Sequence, residues 1–121
     1  MKIIDAHNHP YHCYNMRAIL DNMAKFGIDC TWLLSWECPP DEIDPAYTQV
    51  MPIVEGGYPI PHTFLRGYME RALDLGLGDK FVLGYAPDPR RPDAVDRLES
   101  AIKTDGVRVC GEVKLRMMYD N

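Results

Sequence analysis

Four strand-like apolar runs alternate along this chain with three segments of helical periodicity, and this order constrains the fold most. The apolar runs lie at 2–6, 30–35, 81–85 and 107–117. Between them, apolar residues recur at steps of three and four within 15–26, 63–73 and 92–102. Strands that alternate with helices predict an α/β protein with a parallel sheet and right-handed crossovers.

Several residues are suited to the ends of the three predicted helices. Asn15 is a good N-cap and Gly27 sits where a left-handed C-terminal cap belongs. Thr63 can cap the second helix, and Pro92 can occupy the first position of the third. The second apolar run is nearly continuous, which predicts a strand covered on both faces. The proline-rich segment 36–61 predicts a long, functional connection.

The length and charge of the chain limit what it can be. Its 121 residues suggest one domain, residues 1–121, which is about half of the roughly 250 residues of a (β/α)₈ barrel. The net charge of −5 favours small-molecule substrates over nucleic acid. No apolar run approaches the roughly 20 residues of a membrane span. The even count of four cysteines allows disulfides, but the N-terminal segment turns polar at residue 5 and has no signal-peptide core, so we expect reduced thiols and a cytoplasmic location.

Two histidines follow the first apolar run and are the strongest candidates for metal ligands. Asp5, His7 and His9 alternate, so on a regular strand they project to one side of its C-terminal end. Ligands bind at that end of parallel α/β sheets. The two imidazoles could bind one divalent metal ion, with Asp5 orienting one of them from behind. The alternative is a pair of ordinary loop histidines beside Pro10.

The fourth apolar run carries charged residues on one face, among them Glu112 and Lys114. Its other face is apolar and is expected to pack on helices, so Glu112 is predicted to point into the barrel, toward His7 and His9. Buried charges need partners or a metal. Glu112 is therefore a candidate third ligand. The alternative, favoured for Lys114, is a structural ion-pair network that also includes Arg116 and Asp5.

Several further residues are candidates for the wall of a pocket. His12 follows the two histidines closely, although a plain loop role is the alternative. Trp36 follows the second strand at the same end of the sheet, together with Glu37 and Cys38. His62 precedes the second helix and either reaches the substrate or merely begins that helix.

The segment Ile4-Asp5-Ala6-His7-Asn8-His9 resembles the D-x-H-x-H opening of the amidohydrolase superfamily. The rest of the chain resembles the amidohydrolase-related branch, which includes aminocarboxymuconate-semialdehyde decarboxylase and related lactonases. The resemblance implies strands one to four, with their helices, of a TIM-type (β/α)₈ barrel that holds one or two metal ions, with zinc expected. It also implies that further ligands from strands five, six and eight, and an Asp as general base, lie beyond residue 121.

The function implied by the resemblance is metal-dependent hydrolysis of a small carbonyl compound, such as an amide or a lactone, by Lewis-acid catalysis. One alternative is a metal-dependent decarboxylase on the same fold. Another is a deoxyribonuclease of the TatD type, since Gly111-Glu112-Val113-Lys114-Leu115 resembles its Gly-Glu-x-Gly-Leu segment, from which Lys114 departs. A third is a non-catalytic half-barrel that binds a metal or a partner. Because half a barrel leaves a strand edge and a sheet face uncovered, we expect a homo-oligomer or a missing C-terminal half.

Overall fold

A computed structural model of the chain describes residues 1–10, 15–35, 37 and 62–113. The candidate pocket residues His12 and Trp36 and the strand-four residue Lys114 lie outside the described residues. The predicted long connection at 36–61 also lies outside them, except for Glu37.

Three parallel strands alternate with three α-helices in the described part of the chain. In chain order they are β1 (Ile4–Asn8), α1 (Met16–Phe26), β2 (Cys30–Leu33), α2 (His62–Asp74), β3 (Phe81–Leu83) and α3 (Ala94–Asp105), with a 3-10 turn (Gly78–Lys80) before β3. The strands pair in the order β1-β2-β3, each parallel to the next. The alternation and the parallel pairing are as predicted. That the sheet is part of a (β/α)₈ barrel stays a prediction.

The predicted fourth strand is represented in the described residues by a short stretch beside β3. Val109 forms a single parallel bridge with Gly84. The backbone amide of Tyr85 donates to the Val109 carbonyl at 3.0 Å, and that of Arg108 donates to the Leu83 carbonyl at 3.0 Å. The chain after α3 therefore continues the sheet order in register with β3.

The core lies on one face of the sheet. It contains buried residues from all three helices and from β2 and β3, among them Met23, Leu65, Ala101, Leu33 and Leu83. All three helices therefore pack against the same side, as they do on the outside of a barrel.

The other face of β2 is half-buried in the described part of the chain, so burial of β2 on both faces stays a prediction. Thr31 and Leu33 are fully buried beneath the helices, whereas Cys30 and Trp32 are half-buried. Strand residues alternate between faces, so Cys30 and Trp32 lie on the face away from Thr31 and Leu33. The continuous apolar run of β2 therefore includes a second face, with Cys30 and Trp32, that is half-buried in the described part of the chain.

The predicted ends of α1 are confirmed. The side chain of Asn15 accepts a hydrogen bond from the Ala18 amide at 2.9 Å, and Gly27 adopts a left-handed conformation with φ of 66°. Both contacts lie within one helical turn of the residue that makes them, so local sequence was sufficient to predict them.

The predicted starts of the other two helices were wrong. Thr63 lies inside α2, which begins at His62, and α3 begins at Ala94 rather than at Pro92. A turn precedes α3. In this turn the side chain of Asp88 accepts hydrogen bonds from the backbone amide and the guanidinium of Arg90. The far ends of the predicted apolar stripes, Phe26, Leu73 and Ile102, are exposed.

β1 forms one margin of the described sheet. It pairs with β2 on one side, and no described strand pairs with its other side. Ile3 and Ile4 are 44% and 49% exposed there, beside a cleft of about 490 Å³ between β1 and α1. The expected association with another chain or half-barrel stays a prediction. No helix in the described ranges has the length and hydropathy to cross a membrane.

Candidate metal centre

A bulge in β1 sets the direction of the side chains that follow it. The strand starts at Ile4 rather than Lys2, and three residue steps in β1 span two steps in β2. The paired Cα atoms are Ile4 with Cys30, Asp5 with Thr31 and Asn8 with Leu33. One extra residue in β1 interrupts the alternation of its side chains.

The bulge follows Asp5, so the regular alternation of side chains does not continue from Asp5 to the two histidines. Asp5 and Asn8 both pair with residues that face the helices, and Asn8 Nδ2 donates to Asp5 Oδ2 at 3.0 Å. The other carboxylate oxygen of Asp5 accepts from the backbone amide of His7 at 3.2 Å. The prediction that Asp5, His7 and His9 project together assumed a regular strand, which the bulge interrupts, although all three residues line the same cleft. Asp5 orients the backbone of His7 and also lines the cleft.

Three predicted ligands nevertheless meet at the C-terminal end of the sheet. His7 Nε2 and His9 Nε2 are 2.9 Å apart. Glu112 Oε2 lies 2.9 Å from His9 Nε2 and 3.4 Å from His7 Nε2. We call these three side chains the ligand cluster. As predicted, Glu112 turns toward the histidines; its role as a ligand stays a prediction.

The separations within the ligand cluster match those around a single ion. Zinc binds imidazole nitrogen and carboxylate oxygen at about 2.0–2.2 Å. Donor atoms at that distance, with angles of about 90–110° at the ion, are about 2.9–3.5 Å from one another. The three observed separations fall in this range. Within the described residues, this is the one group of three or more His, Cys, Asp or Glu side chains arranged to hold an ion.

The tautomer of His9 follows from its second ring nitrogen. Nδ1 lies 2.9 Å from the backbone carbonyl oxygen of Leu34. A carbonyl only accepts, so Nδ1 carries the hydrogen, and the lone pair of the neutral ring is on Nε2. That lone pair points at His7 Nε2 and at the Glu112 carboxylate. A hydrogen on His7 Nε2 can be donated to this lone pair when no ion is bound, and an ion between the three side chains could accept electron pairs from all of them.

The end of β2 positions two members of the ligand cluster through its backbone. Leu34 O orients His9, and Ser35 O accepts from the backbone amide of Glu112 at 2.9 Å. The hydroxyl of Ser35 donates to Gly84 O at 3.3 Å and is buried. Sequence reasoning missed both residues, since a backbone carbonyl leaves no signal in residue type. Their position at the C-terminal end of a predicted strand was the only available indication.

The ligand cluster is open on one side. The His7 side chain is 60% exposed, against 12% for His9 and 22% for Glu112. Catalytic zinc sites keep a position free for water or substrate, whereas structural sites are closed by four protein ligands. The exposure of His7 fits the open kind.

His62 lies apart from the ligand cluster, in the helix layer. Its Nε2 is 2.9 Å from Asp105 Oδ2, and its ring stacks on Tyr85 with centroids 4.4 Å apart. Burial alone would raise the pKa of Asp105, but the hydrogen bonds from His62 and Thr104 outweigh it and lower this pKa. Of the two sequence-based interpretations, this placement favours a residue that begins α2.

Glu37 joins this second group instead of facing the cleft. Its Oε1 accepts from the hydroxyl of Tyr85 and from Arg97 Nη2, each at 2.8 Å. Its Oε2 accepts from the backbone amide of Asp88 at 3.3 Å. Burial and the neighbouring Glu37 raise the pKa of Tyr85 to about 12. The helix-layer network is defined here as Glu37, His62, Tyr85, Arg97 and Asp105.

Comparisons of the chain with protein-family models, curated proteins and solved structures found no match. The resemblance to the amidohydrolase superfamily therefore stays a prediction that rests on the quoted residues. The geometry of the ligand cluster is an independent observation, because it depends on the positions of atoms and not on the motif.

Proposed function

We propose that His7, His9 and Glu112 bind a divalent metal ion, with zinc preferred, in a hydrolase of the amidohydrolase type. The observation that carries this proposal is the convergence of two imidazole nitrogens and one carboxylate oxygen within 4.8 Å of one another. Two histidines and one glutamate are also the donor set of well-known hydrolytic zinc sites.

The residues of the chain divide the work at such a site. A bound divalent ion supplies Lewis-acid catalysis, by activating water near neutral pH and polarising a substrate carbonyl. Leu34 holds the His9 ring so that its Nε2 faces the site, and Ser35 holds the backbone of Glu112. The exposed side of His7 gives a small carbonyl substrate, such as an amide or a lactone, access. The general base is proposed to lie outside the described residues.

The architecture proposed with this function is the first half of a (β/α)₈ barrel. Its support is the sequential strand order β1-β2-β3 together with helices on one face only. A doubly wound sheet, the main α/β alternative, has helices on both faces. The half-buried face with Cys30 and Trp32 corresponds to the barrel interior in this proposal.

A small-molecule substrate and a cytoplasmic location complete the proposal. The net charge of −5 supports the first, because nucleic-acid binding depends on clustered basic residues. Cys30 and Cys110, the cysteines among the described residues, are free thiols, which supports a reducing compartment.

Metal titration with matched histidine variants tests the proposal. The His7→Ala, His9→Ala double variant is expected to lose stoichiometric zinc binding, whereas His62→Ala, which removes an imidazole of the helix-layer network, retains it. Zinc content is measured in the folded fraction of each protein. Equal zinc content in the wild type and the double variant would rule out the proposed centre.

Product analysis of the zinc-loaded wild type tests the reaction class. Hydrolytic opening of lactones or amides supports the hydrolase, and release of CO₂ from carboxylated substrates supports the decarboxylase. Tight zinc binding without turnover of either substrate class would identify a non-catalytic metal site.

A further inference from the structure

Two adjacent carbonyl groups hold the ligand cluster, although regular strand pairing has already ended. β2 ends at Leu33, and the carbonyls of Leu34 and Ser35 bind His9 and Glu112. Leu34 also donates its amide to Asn8 O at 2.9 Å. The orientation of these two peptide groups therefore determines where two of the three ligands point.

An anchor for this segment lies two residues further along the chain. The carboxylate of Glu37 accepts three hydrogen bonds, from Tyr85 and the Asp88 amide after β3 and from Arg97 on α3. The bond from Arg97 joins two ionised groups, and such bonds are stronger and better oriented than neutral ones. Glu37 is thus fixed at both oxygens to elements outside the β2 segment.

We propose that Glu37 is a positioning residue of the metal centre, which anchors the end of β2 so that Leu34 and Ser35 hold His9 and Glu112. Without the anchor, Leu34 and Ser35 keep their bonds to Asn8 O and Gly84 O, but the chain after Ser35 is released, and the two carbonyls are held less firmly in their directions. Outer-shell partners that fix the tautomer and direction of a metal-binding histidine strongly affect metal affinity. The part of this inference that concerns metal affinity rests on the proposed function, whereas the part that concerns His9 does not.

The anchor itself is attached to the helix layer. Tyr85, which donates to Glu37, is stacked on His62, and His62 is paired with Asp105 at the C-terminal end of α3. A pKa of about 12 keeps the hydroxyl of Tyr85 protonated, so it donates throughout the neutral range. Glu37 is therefore held directly by Tyr85, the Asp88 amide and Arg97, while His62 stacks behind Tyr85.

The test uses the full chain with the variants Glu37→Ala, Glu37→Gln and Tyr85→Phe, and with Glu99→Gln as the control. Glu99 lies on α3 but pairs only with the exposed Lys103 among the contacts described for it. The ¹⁵N shifts of the His9 imidazole in the metal-free protein report its tautomer. We expect a single tautomer with the hydrogen on Nδ1 in the wild type and in the control, and a mixture in Glu37→Ala.

Cobalt(II) binding provides the second measurement. The dissociation constant of folded Glu37→Ala is expected to rise roughly 10- to 100-fold, with a changed visible absorption spectrum. Glu37→Gln and Tyr85→Phe, which each keep part of the anchor, should give smaller rises. They also keep the test valid if Glu37→Ala does not fold.

Each outcome supports or overturns the inference. A folded Glu37 variant with the wild-type His9 tautomer and unchanged cobalt affinity would overturn it, even if its stability is lower. A wild type that binds no cobalt would overturn the proposed function instead. In that case the His9 tautomer alone would decide whether Glu37 positions the ring.

Discussion

The ligand cluster and the helix-layer network both contain histidine and glutamate side chains, yet the two groups are arranged differently. In the network, Asp105 accepts from His62, and Glu37 accepts from Tyr85 and Arg97. In the cluster, the lone-pair nitrogen of His9 faces another imidazole nitrogen and a carboxylate. Paired donors and acceptors such as these stabilise the structure by themselves, whereas three ligand-type atoms as close together as those of the cluster can also enclose a cation.

Burial separates the two regions in the same way. His62 and Asp105 are 13% and 14% exposed, which suits a pair that links two helices. His7 is 60% exposed at the open side of its group. His7 and His62 therefore have different surroundings, although nothing in residue type distinguishes them. We expect this difference to show in the following experiments, ordered from the largest effect to the smallest.

Zinc should stabilise the protein through the ligand cluster. A ligand at 1,000 times its dissociation constant raises the free energy of unfolding by about 4 kcal/mol if it binds only the folded state. Glu112→Ala is expected to remove most of this increment, because it removes one of three ligands. Chemical denaturation with and without zinc measures it, and an increment unchanged in Glu112→Ala would contradict the ligand role.

Removing His62 should lower the stability of the protein but leave the stabilisation by zinc unchanged. His62→Ala leaves Asp105 buried without its imidazole, which lowers the free energy of unfolding by about 2–4 kcal/mol. The zinc increment should remain, since the ligand cluster keeps its three side chains. A double-mutant cycle with Asp105→Asn isolates the pair. Loss of zinc binding in folded His62→Ala would place this histidine in the site after all.

Gly84→Ala should lower both the free energy of unfolding and the zinc affinity, because Gly84 lies beside Leu34, the residue that orients His9. A Cβ at this position would be 2.5 Å from Leu34 Cδ2 and 3.2 Å from Gly111 O. Overpacking of this kind destabilises by about 1–3 kcal/mol. Displacement of Leu34 should also weaken zinc binding. Gly67→Ala, at a helical position where a Cβ meets nothing within 4 Å, is the control.

Acid should weaken the helix-layer network. The pKa of Asp105 is lowered in the folded protein, so its contribution to stability is present above the ordinary carboxyl pKa of about 4 and is lost as the pH falls through the lower folded value. Denaturation between about pH 5 and 2 measures this loss. Asp105→Asn should show a shallower decline than the wild type, and an equal decline would exclude this pair as a cause.

The smallest effect is expected for a surface ion pair outside both regions. Glu99→Gln breaks an exposed contact with Lys103 on α3, and such pairs contribute about 0–1 kcal/mol. The free energy of unfolding and the zinc affinity should both stay close to the wild-type values. A large change in either value would show that residues of α3 other than Arg97 and Asp105 also affect the two regions.

Local sequence was sufficient for those features whose contacts lie within a few residues. Asn15 and Gly27 cap α1 through bonds to its own first and last turns, and the alternation of strands and helices follows from hydrophobic periodicity. His7, His9 and Glu112 were also predictable as candidates, since charged and ligand-type residues at strand ends are distinctive in an otherwise apolar pattern.

Only the tertiary structure decided which of the candidates meet. The bulge between Asp5 and Asn8 arises from pairing with β2, and no local pattern in the sequence predicts it. Leu34 and Ser35 hold the ligand cluster through backbone carbonyls, which every residue has. His62 pairs with Asp105, which lies 43 positions away in the sequence. Residue type determines which chemistry is possible, but direction and partners depend on backbone geometry set by distant segments.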